Sequence, residues 1–462
     1  MAASVEIPVP PLVQSLSPLL AENVGTAPWT GPRWWWAGPL DVEGLALGSV
    51  QMLATAVASY AESTGRRTGI GFTSDCVAAA FASFAHLRIN DKPIQGFAPL
   101  SGFRRTADGW VRLHANYPHH EAALRAALDV QRPEQVDDAV RSRTAAEVEE
   151  AVTARGGLAT AVRTPEQWGA SAAGQAVAAE PWLRLELRDA RPGSAPKPAG
   201  DGLLSGLRVL DLTRVIAGPS GSRILGALGA DVLRVDPPAL PELADQYVDT
   251  GFAKRSVVAD LADPDVQPRL RALLAEADVV LTAYRGGSLA RLGLDPVSLR
   301  TDYPHLALVS LDAWGDRGPW TERRGFDSIV QAATGIAHLY GSTGNDGAWR
   351  PGALPVQALD YATGLGMSAA AVALVAARSR GIAGAAHLSL ARTAQELRRL
   401  PGPPPGTKAS ALPEPALRRG ASSYGELTYV PPPLLIGGVQ LEYPWVPPPY
   451  GSADLAWDQP LR

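Results

Sequence analysis

An apolar stretch from Leu207 to Leu212 predicts a buried strand. The Gly-Pro pair at 218 and 219 predicts a tight turn, and the small polar residues that follow favour the start of a helix. A second short strand is predicted over 231–236. This order predicts a βαβ unit whose first loop brings backbone N–H groups close to an anionic ligand. The loop lacks the Gly-x-Gly-x-x-Gly spacing of nicotinamide-binding folds, which argues against a dinucleotide site.

Strand and helix patterns continue beyond this unit in a fixed order. The segments that carry the comparison are 204–219, 253–261, 277–293 with a turn at 285–288, 318–335 and 355–364. Together they resemble the family III CoA-transferases, the group that includes formyl-CoA transferase and α-methylacyl-CoA racemase. The resemblance covers most of residues 204–395. It implies an α/β fold, with a Rossmann-like CoA-binding core, a smaller α+β domain and long extended linkers.

The resemblance divides the chain in an unusual order. Residues 37–90 look like a partial copy of residues 355–400, and the segment near residue 103 resembles the start of the family's small domain. In the family the small domain follows the nucleotide-binding part, whereas here it precedes it. The predicted division is 1–99, a helical partial repeat of the core; 100–180, a small α+β domain; 181–203, a linker; 204–400, the Rossmann-like CoA-binding domain; and 401–462, a Pro-rich extended segment.

Asp360 is the candidate nucleophile. The resemblance implies that an aspartate at this motif attacks the acyl-CoA thioester and forms a covalent intermediate. An aspartate is ordinarily ionised at neutral pH, so no separate base is expected. The alternative is a helix N-cap, which the spacing alone supports equally well. Asp41 is the counterpart of Asp360 in the repeat, and its context favours an N-cap role.

Coenzyme A carries phosphates, so basic groups are expected near the loops that follow the strands. Val215 and Ile216 match the family loop that lies along the ligand. Pro237 stands where several members have an arginine, so one contact is missing. The resemblance implies further CoA contacts at Lys254, Arg291, Leu292 and Arg324.

Phe326 bears on the type of reaction. The racemases of the family use a His-Asp pair at this position to move the α-proton, and this chain has Phe326-Asp327. Phenylalanine cannot transfer a proton, which favours a CoA-transferase that moves CoA from an acyl-CoA thioester to a carboxylic acid. The alternatives are an acyl-CoA racemase or isomerase, and a non-catalytic CoA-binding subunit.

Composition gives no reason to expect other partners. The 462 residues carry a formal net charge of −4 with an isoelectric point near 6.0, which does not favour nucleic acid or an anionic membrane. The most apolar run, 369–377, is shorter than a membrane span. The adjacent His119 and His120 offer no metal pattern. We expect a cytoplasmic enzyme with acyl-CoA as substrate and no tightly bound cofactor or metal. The resemblance also implies a homodimer, and the rearranged order leaves interlocking of the subunits open.

Overall fold

The computed structural model describes residues 11–22, 24–193, 200–284, 289–404 and 406–458; the predicted turn at 285–288 lies outside them. The α-helices are α1 (Val42–Ser63), α2 (Ser74–Phe81), α3 (Ser83–His86), α4 (Pro118–Leu128), α5 (Val136–Arg141), α6 (Ala145–Ala154), α7 (Pro165–Ala170), α8 (Ala172–Ala178), α9 (Ala217–Ala227), α10 (Ala244–Thr250), α11 (Gln267–Glu276), α12 (Pro296–Asp302), α13 (Asp327–Ala333), α14 (Ile336–Leu339), α15 (Ala358–Ala377) and α16 (Leu390–Arg399). Short 3-10 helices cover Leu12–Leu16, Pro133–Gln135, Ala290–Leu292 and Arg378–Arg380.

The strands are mostly short. They are β1 (Trp29–Thr30), β2 (Ile70–Thr73), β3 (Arg88–Ile89), β4 (Lys92–Pro93), β5 (Gly102–Arg105), β6 (Trp110–Leu113), β7 (Ala159–Ala161), β8 (Arg184–Asp189), β9 (Arg208–Leu212), β10 (Asp231–Asp236), β11 (Arg255–Val258), β12 (Val279–Thr282), β13 (Ala307–Asp312), β14 (Ser342–Thr343), β15 (Trp349–Arg350), β16 (Ile382–Ser389), β17 (Arg418–Ser422), β18 (Gly425–Tyr429), β19 (Leu435–Ile436) and β20 (Val439–Gln440).

A seven-stranded sheet in the order β11-β10-β9-β12-β13-β16-β8 forms the centre of the fold. The first six strands are parallel, and β8 is antiparallel at the edge. The predicted βαβ unit is confirmed as β9, α9 and β10, and so is the predicted α/β fold. The chain leaves β9 in one direction to reach β10 and in the other to reach β12. In sheets of this kind ligands bind in the crevice at the carboxyl ends of the strands, where the order reverses.

The edge strand β8 corrects the predicted linker over residues 181–203. Residues 184–189 pair with β16, from His387 opposite Arg184 to Ile382 opposite Asp189. The strand is polar because it lies at the sheet edge, where its charged side chains form ion pairs, such as Arg184 with Asp316 and Glu186 with Arg300. Alternating charges hid this strand from a reading based on apolar runs.

Helices α1 and α15 pack against each other in the main core. Each is followed by a strand and a helix, so the order α1-β2-α2 repeats the order α15-β16-α16. Both helices are long and apolar enough to span a membrane, and 89% and 100% of their most apolar windows are buried inside the protein. The apolar run at 369–377, which alone is shorter than a membrane span, thus lies inside a longer apolar helix. Such burial is typical of helices in the core of a folded protein.

The small α+β domain contains the antiparallel sheet β5-β6-β7, with α4 and α6 packed against it. The predicted hairpin turn at 107–109 joins β5 and β6. Behind this sheet, Leu113 and Val148 belong to a separate apolar core.

The C-terminal residues contribute to the fold more than expected. Strand β18 pairs with β3 and β19 pairs with β2, so residues from both ends of the chain share two small sheets. Leu427 and Leu434 are fully buried. The prediction of an extended segment from 401 onward is thus wrong for these strands, because side chains such as Leu427 and Leu434 pack into apolar clusters.

Candidate active site

Asp360 occupies the first turn of α15, and its side chain is only 6% exposed. The helix begins two residues earlier and Gln357 stands at the N-cap position, so the N-cap interpretation of Asp360 is wrong. Asp327 performs that role from another element. Its carboxylate accepts hydrogen bonds from the backbone N–H groups of Leu359 at 3.0 Å and of Asp360 at 3.1 Å.

The two carboxyl groups affect each other's ionisation. Burial raises the pKa of Asp360 well above its ordinary value, and the nearby Asp327 raises it further. Burial also raises the pKa of Asp327 to about 6, against the hydrogen bonds from Gln331, Asp360 and Leu359. The expectation that Asp360 is ionised without assistance is therefore corrected. Asp327 loses its proton before Asp360 does, because hydrogen-bond donors surround the Asp327 carboxylate.

Helix α9 begins close to Asp360. Gly364 lies one turn after Asp360 on the same face of α15. A Cβ on Gly364 would overlap the carbonyl oxygen of Ala217, the first residue of α9, so only glycine permits this approach. The N–H groups in the first turn of a helix have no intrahelical acceptor. The start of α9 therefore packs directly against α15, one turn beyond Asp360.

The predicted ligand loop at Val215 and Ile216 is held in an unusual conformation. Val215 has φ of +68°, which is rare for a β-branched residue, and Ile216 is buried. The Val215 N–H donates to Glu242 Oε2 at 2.8 Å. Glu242 also accepts from Arg234 at 2.9 Å and from the Tyr117 hydroxyl of the small domain at 2.5 Å. Sequence reasoning missed Glu242, whose position gives no local signal.

A narrow pocket of about 200 Å³ lies beside the loop and the start of α15. Ile216, Gln357 and Tyr361 line one side of it. Aromatic side chains from the N-terminal part of the chain line the other, among them Phe97. The Tyr361 hydroxyl lies 2.8 Å from Ser83 Oγ, which fixes this N-terminal part against the residue next to Asp360. Residues before 204 therefore complete the pocket.

The predicted basic contacts are not brought together. Lys254 is 1% exposed and donates to Asp211 at 3.2 Å, Ser222 at 2.7 Å and the Pro219 carbonyl at 2.9 Å. This corrects its assignment as a CoA contact, because the ammonium is enclosed by core partners that support α9.

Arg291 and Leu292 lie after β12, the neighbour of β9 at the point where the strand order reverses. Arg291 is exposed and Leu292 is half-buried. Arg324 is exposed and donates to the carbonyl oxygen of Gly156 in the small domain. Arg291 is thus an exposed basic residue that follows a strand at the point where the strand order reverses.

Phe326 is surrounded by histidines that come from the small domain. The His114 ring stacks on Phe326, with 4.2 Å between ring centroids, and the His120 ring meets it edge-on at 5.9 Å. Both imidazoles are buried. Sequence reasoning considered only the residue at position 326 and missed these neighbours.

Asp41, the repeat counterpart of Asp360, has the predicted N-cap role. Its side chain accepts from the Gly44 N–H at 2.8 Å and forms a two-point ion pair with Arg33 at 2.8 and 3.0 Å. Both side chains are almost completely buried. This carboxylate stabilises the start of α1.

Part of the chain is similar to known proteins. Residues 204–399 match the model of CoA-transferase family III. The chain is 33% identical over 201 residues to the probable fatty acyl-CoA transferase Rv3272 of Mycobacterium tuberculosis, covering 40% of this chain and 50% of that protein. It is 36% identical over 197 residues to the succinate–glutarate CoA-transferase of Agrobacterium fabrum, covering 38% of this chain and 48% of that protein.

A crystal structure of Rv3272 is 34% identical, covers 42% of this chain and 54% of that chain, and superposes with a TM-score of 0.38. The chain spans about half the length of the curated relatives it matches. The match to CoA-transferase family III covers residues 204–399, less than half of this chain.

Proposed function

We propose that this protein is a CoA-transferase that moves CoA from an acyl-CoA thioester to a carboxylic acid through a covalent intermediate on Asp360. The observation that carries the proposal is the position of Asp360, buried in the first turn of α15 beside Asp327 and close to the start of α9. The family match of residues 204–399 and the names of the relatives support the same reaction.

The first half of the proposed reaction forms the enzyme intermediate. A carboxylate oxygen of Asp360 attacks the thioester carbonyl, the C–S bond breaks, and a mixed anhydride and CoA thiolate result. The thiolate then attacks the Asp360 carbonyl of the anhydride, which releases the donor acid and leaves an aspartyl-CoA thioester. In this proposal the N–H groups at the start of α9 stabilise the oxyanions.

The second half runs in the opposite sense. The acceptor carboxylate attacks the aspartyl-CoA carbonyl and expels the thiolate, which then attacks the acceptor carbonyl of the new anhydride. The acceptor leaves as its CoA thioester and Asp360 is restored as a carboxylate. Because Asp360 must attack in its ionised form, the proton held by the Asp327–Asp360 pair must lie on Asp327 or leave the site before each turnover.

Trapping of the intermediate tests this function. The wild-type protein is incubated with a panel of acyl-CoA donors and hydroxylamine, and the peptide containing Asp360 is examined by mass spectrometry. An aspartyl hydroxamate at Asp360, together with stoichiometric CoA release, is the expected result. Turnover without any modification of Asp360 would overturn the covalent mechanism, and absence of both turnover and modification would favour a non-catalytic CoA-binding subunit.

An acyl-CoA racemase is a second candidate, and the histidines around Phe326 favour it. His114 and His120 bring imidazoles to the position from which Phe326 itself cannot transfer a proton. Incorporation of solvent deuterium at the α-carbon of a 2-methylacyl-CoA identifies this activity. A transferase leaves that position unlabelled.

The homodimer and the cytoplasmic location stay predictions. Light scattering at micromolar concentration measures the oligomeric state, and a monomeric mass would contradict the dimer.

A further inference from the structure

The face of β6 that carries Arg112 and His114 packs over the beginning of α13. Alternate residues of a strand point to the same side, so these two side chains lie next to each other. His114 stacks on Phe326, the residue before α13, and the charge of Arg112 acts on Asp327, its first residue. Since Asp327 is hydrogen-bonded to the Asp360 N–H, Arg112 lies on the small-domain side of the carboxyl pair.

The surroundings of Arg112 are unusual for a cation. Its side chain is only 8% exposed, and its guanidinium carbon lies 4.9 Å from the ring centroid of Phe97 and 5.0 Å from that of Phe103. Its Nε has no hydrogen-bond partner among the residues that the structure describes. Burial lowers the pKa of Arg112 to about 10, so the group is still charged at neutral pH. A buried guanidinium is costly unless an anion completes its hydrogen bonds.

The neighbouring histidines are unsatisfied in the same way. His114 is 6% exposed and His120 is 4% exposed, and the Nδ1 atoms of both have no partner within the described part of the chain. Burial lowers the pKa of each imidazole to about 3, so both are neutral. Buried polar atoms without partners are rare in folded proteins, and a cluster of them beside one cation indicates a site for a polar ligand.

The proposed reaction requires such a site. An acceptor carboxylate has to approach the aspartyl-CoA thioester beside the buried carboxylate of Asp327, and like charges in a desolvated site repel strongly. A guanidinium can hold a carboxylate through two parallel hydrogen bonds and offset that repulsion. We propose that Arg112 binds the carboxylate of the acceptor acid, with His114 as the adjacent neutral donor. This specificity-determining role rests on the proposed function.

The pocket at the start of α15, which Tyr361 lines, gives the acid a route towards this group. Phe97 lines that pocket and is 41% exposed, and the same ring contacts the Arg112 guanidinium. One side chain therefore separates Arg112 from the space next to Ile216 and Gln357. Both Arg112 and Phe97 lie outside residues 204–399, so acceptor choice is assigned to a part of the chain beyond the family match.

The two half-reactions separate this role from a general loss of activity. Arg112→Gln is compared with wild type for CoA release in hydroxylamine without acceptor acid, and for the KM of succinate in complete turnover. We expect the KM of succinate to rise about 10- to 100-fold, as for loss of a charge-assisted hydrogen bond. CoA release and the KM of the acyl-CoA donor should stay within about twofold. Arg112→Lys keeps the charge but lacks the planar guanidinium, so its KM for succinate should lie between those of wild type and Arg112→Gln.

Arg105→Gln is the matched control, since Arg105 is an exposed arginine of the adjacent strand β5 that lies over the Trp110 ring. It should leave both half-reactions unchanged. The proposal is overturned if folded Arg112→Gln keeps the KM of wild type for succinate. It is also overturned if the rates of both half-reactions fall equally and Arg112→Lys recovers neither. If the wild-type protein shows no turnover, the proposed function is wrong. Calorimetric titration with succinate then tests the carboxylate site separately. Binding lost in Arg112→Gln then supports the carboxylate site, and equal binding refutes it.

Discussion

The carboxylate of Asp327 accepts a hydrogen bond from the backbone N–H of Asp360, and its charge raises the pKa of the Asp360 side chain. The group that supports the first turn of α15 therefore also disfavours ionisation of the candidate nucleophile. Asp327 is surrounded by donors, and burial and Asp327 act on Asp360 in the same direction. As pH rises, the pair therefore first carries a single negative charge on Asp327, while the proton stays mainly on Asp360.

Substitution of Asp360 should abolish transfer without loss of CoA binding. Asp360→Asn keeps the shape of the side chain, but an amide is too poor a nucleophile to form the anhydride. We expect transfer to fall below detection in Asp360→Asn and Asp360→Ala, with the Kd for CoA within about twofold of wild type by calorimetry. Near-normal transfer by Asp360→Asn would refute the assignment and make Asp41 the next residue to test.

The same substitution should change the pH dependence of stability. Because the folded-state pKa of Asp360 is raised, the stability it contributes is complete below its unfolded pKa of about 3.9 and is lost as pH rises through the folded pKa. Asparagine cannot ionise, so Asp360→Asn should gain in Tm over wild type by about a few degrees between pH 5 and pH 9. Asp346→Asn, at an exposed ion pair, is the control whose Tm difference stays flat. A flat difference for Asp360→Asn too would contradict the raised pKa.

Asp327→Asn should shift the pH–rate profile. Removing the charge of Asp327 removes one cause of the raised pKa of Asp360, so the acid limb of the transfer rate should move to lower pH. The weaker acceptor at the start of α15 should also lower the free energy of unfolding by about 1 kcal/mol. The rate is measured from pH 5 to 9 on protein shown to be folded by circular dichroism. An acid limb that does not move would separate Asp327 from the ionisation of Asp360.

Substitution of Arg291 should weaken substrate binding, whereas substitution of Lys254 should lower stability. Arg291→Gln should raise the KM for acyl-CoA about tenfold, because the family resemblance implies that this exposed side chain after β12 binds a CoA phosphate. Lys254→Met should instead lower the free energy of unfolding by about 3 kcal/mol, because Asp211 loses its buried partner. The folded fraction of Lys254→Met should keep its KM for acyl-CoA. Arg271→Gln, on the exposed side of α11, is the control for surface charge.

Asp41→Ala should affect stability alone. From the sequence alone, the expected cost is that of one lost helix cap, about 1 kcal/mol in the free energy of unfolding. The buried ion pair with Arg33 raises the expected loss to about 3 kcal/mol, since Arg33 is left without its partner. Urea unfolding measures this difference, and the double variant Arg33→Met, Asp41→Leu should recover part of it. A change in transfer rate per folded molecule would show that α1 also acts on the site.

Local patterns predicted a large part of this structure. The unit from β9 to β10 and the position of Asp360 follow from short stretches of sequence and from the family motifs they carry. The relationships that decide the chemistry do not, because they join residues far apart in the chain. Asp327 and Asp360 are 33 positions apart, and Tyr117 and Glu242 are 125 apart.

The errors have a common physical cause. Lys254 was assigned by its motif, but burial beside Asp211 determines what its ammonium can reach. Strand β8 was assigned to a linker because its side chains are mostly charged, and ion pairs with neighbouring loops make such a strand stable at a sheet edge. In both cases the partner of a charged group, which no single segment contains, decided its role.

The pairing of α1 with α15 also affects how the chain can fold during synthesis. Helix α1 ends at Ser63 and α15 begins at Ala358, so the ribosome adds 295 further positions (358 − 63) before the two can meet. At about 5–20 residues per second this interval lasts roughly 15–60 s. Throughout it, a 22-residue apolar helix that is almost entirely buried in the finished protein lacks its main partner. We therefore expect the early part of the nascent chain to need chaperone protection until α15 has been made.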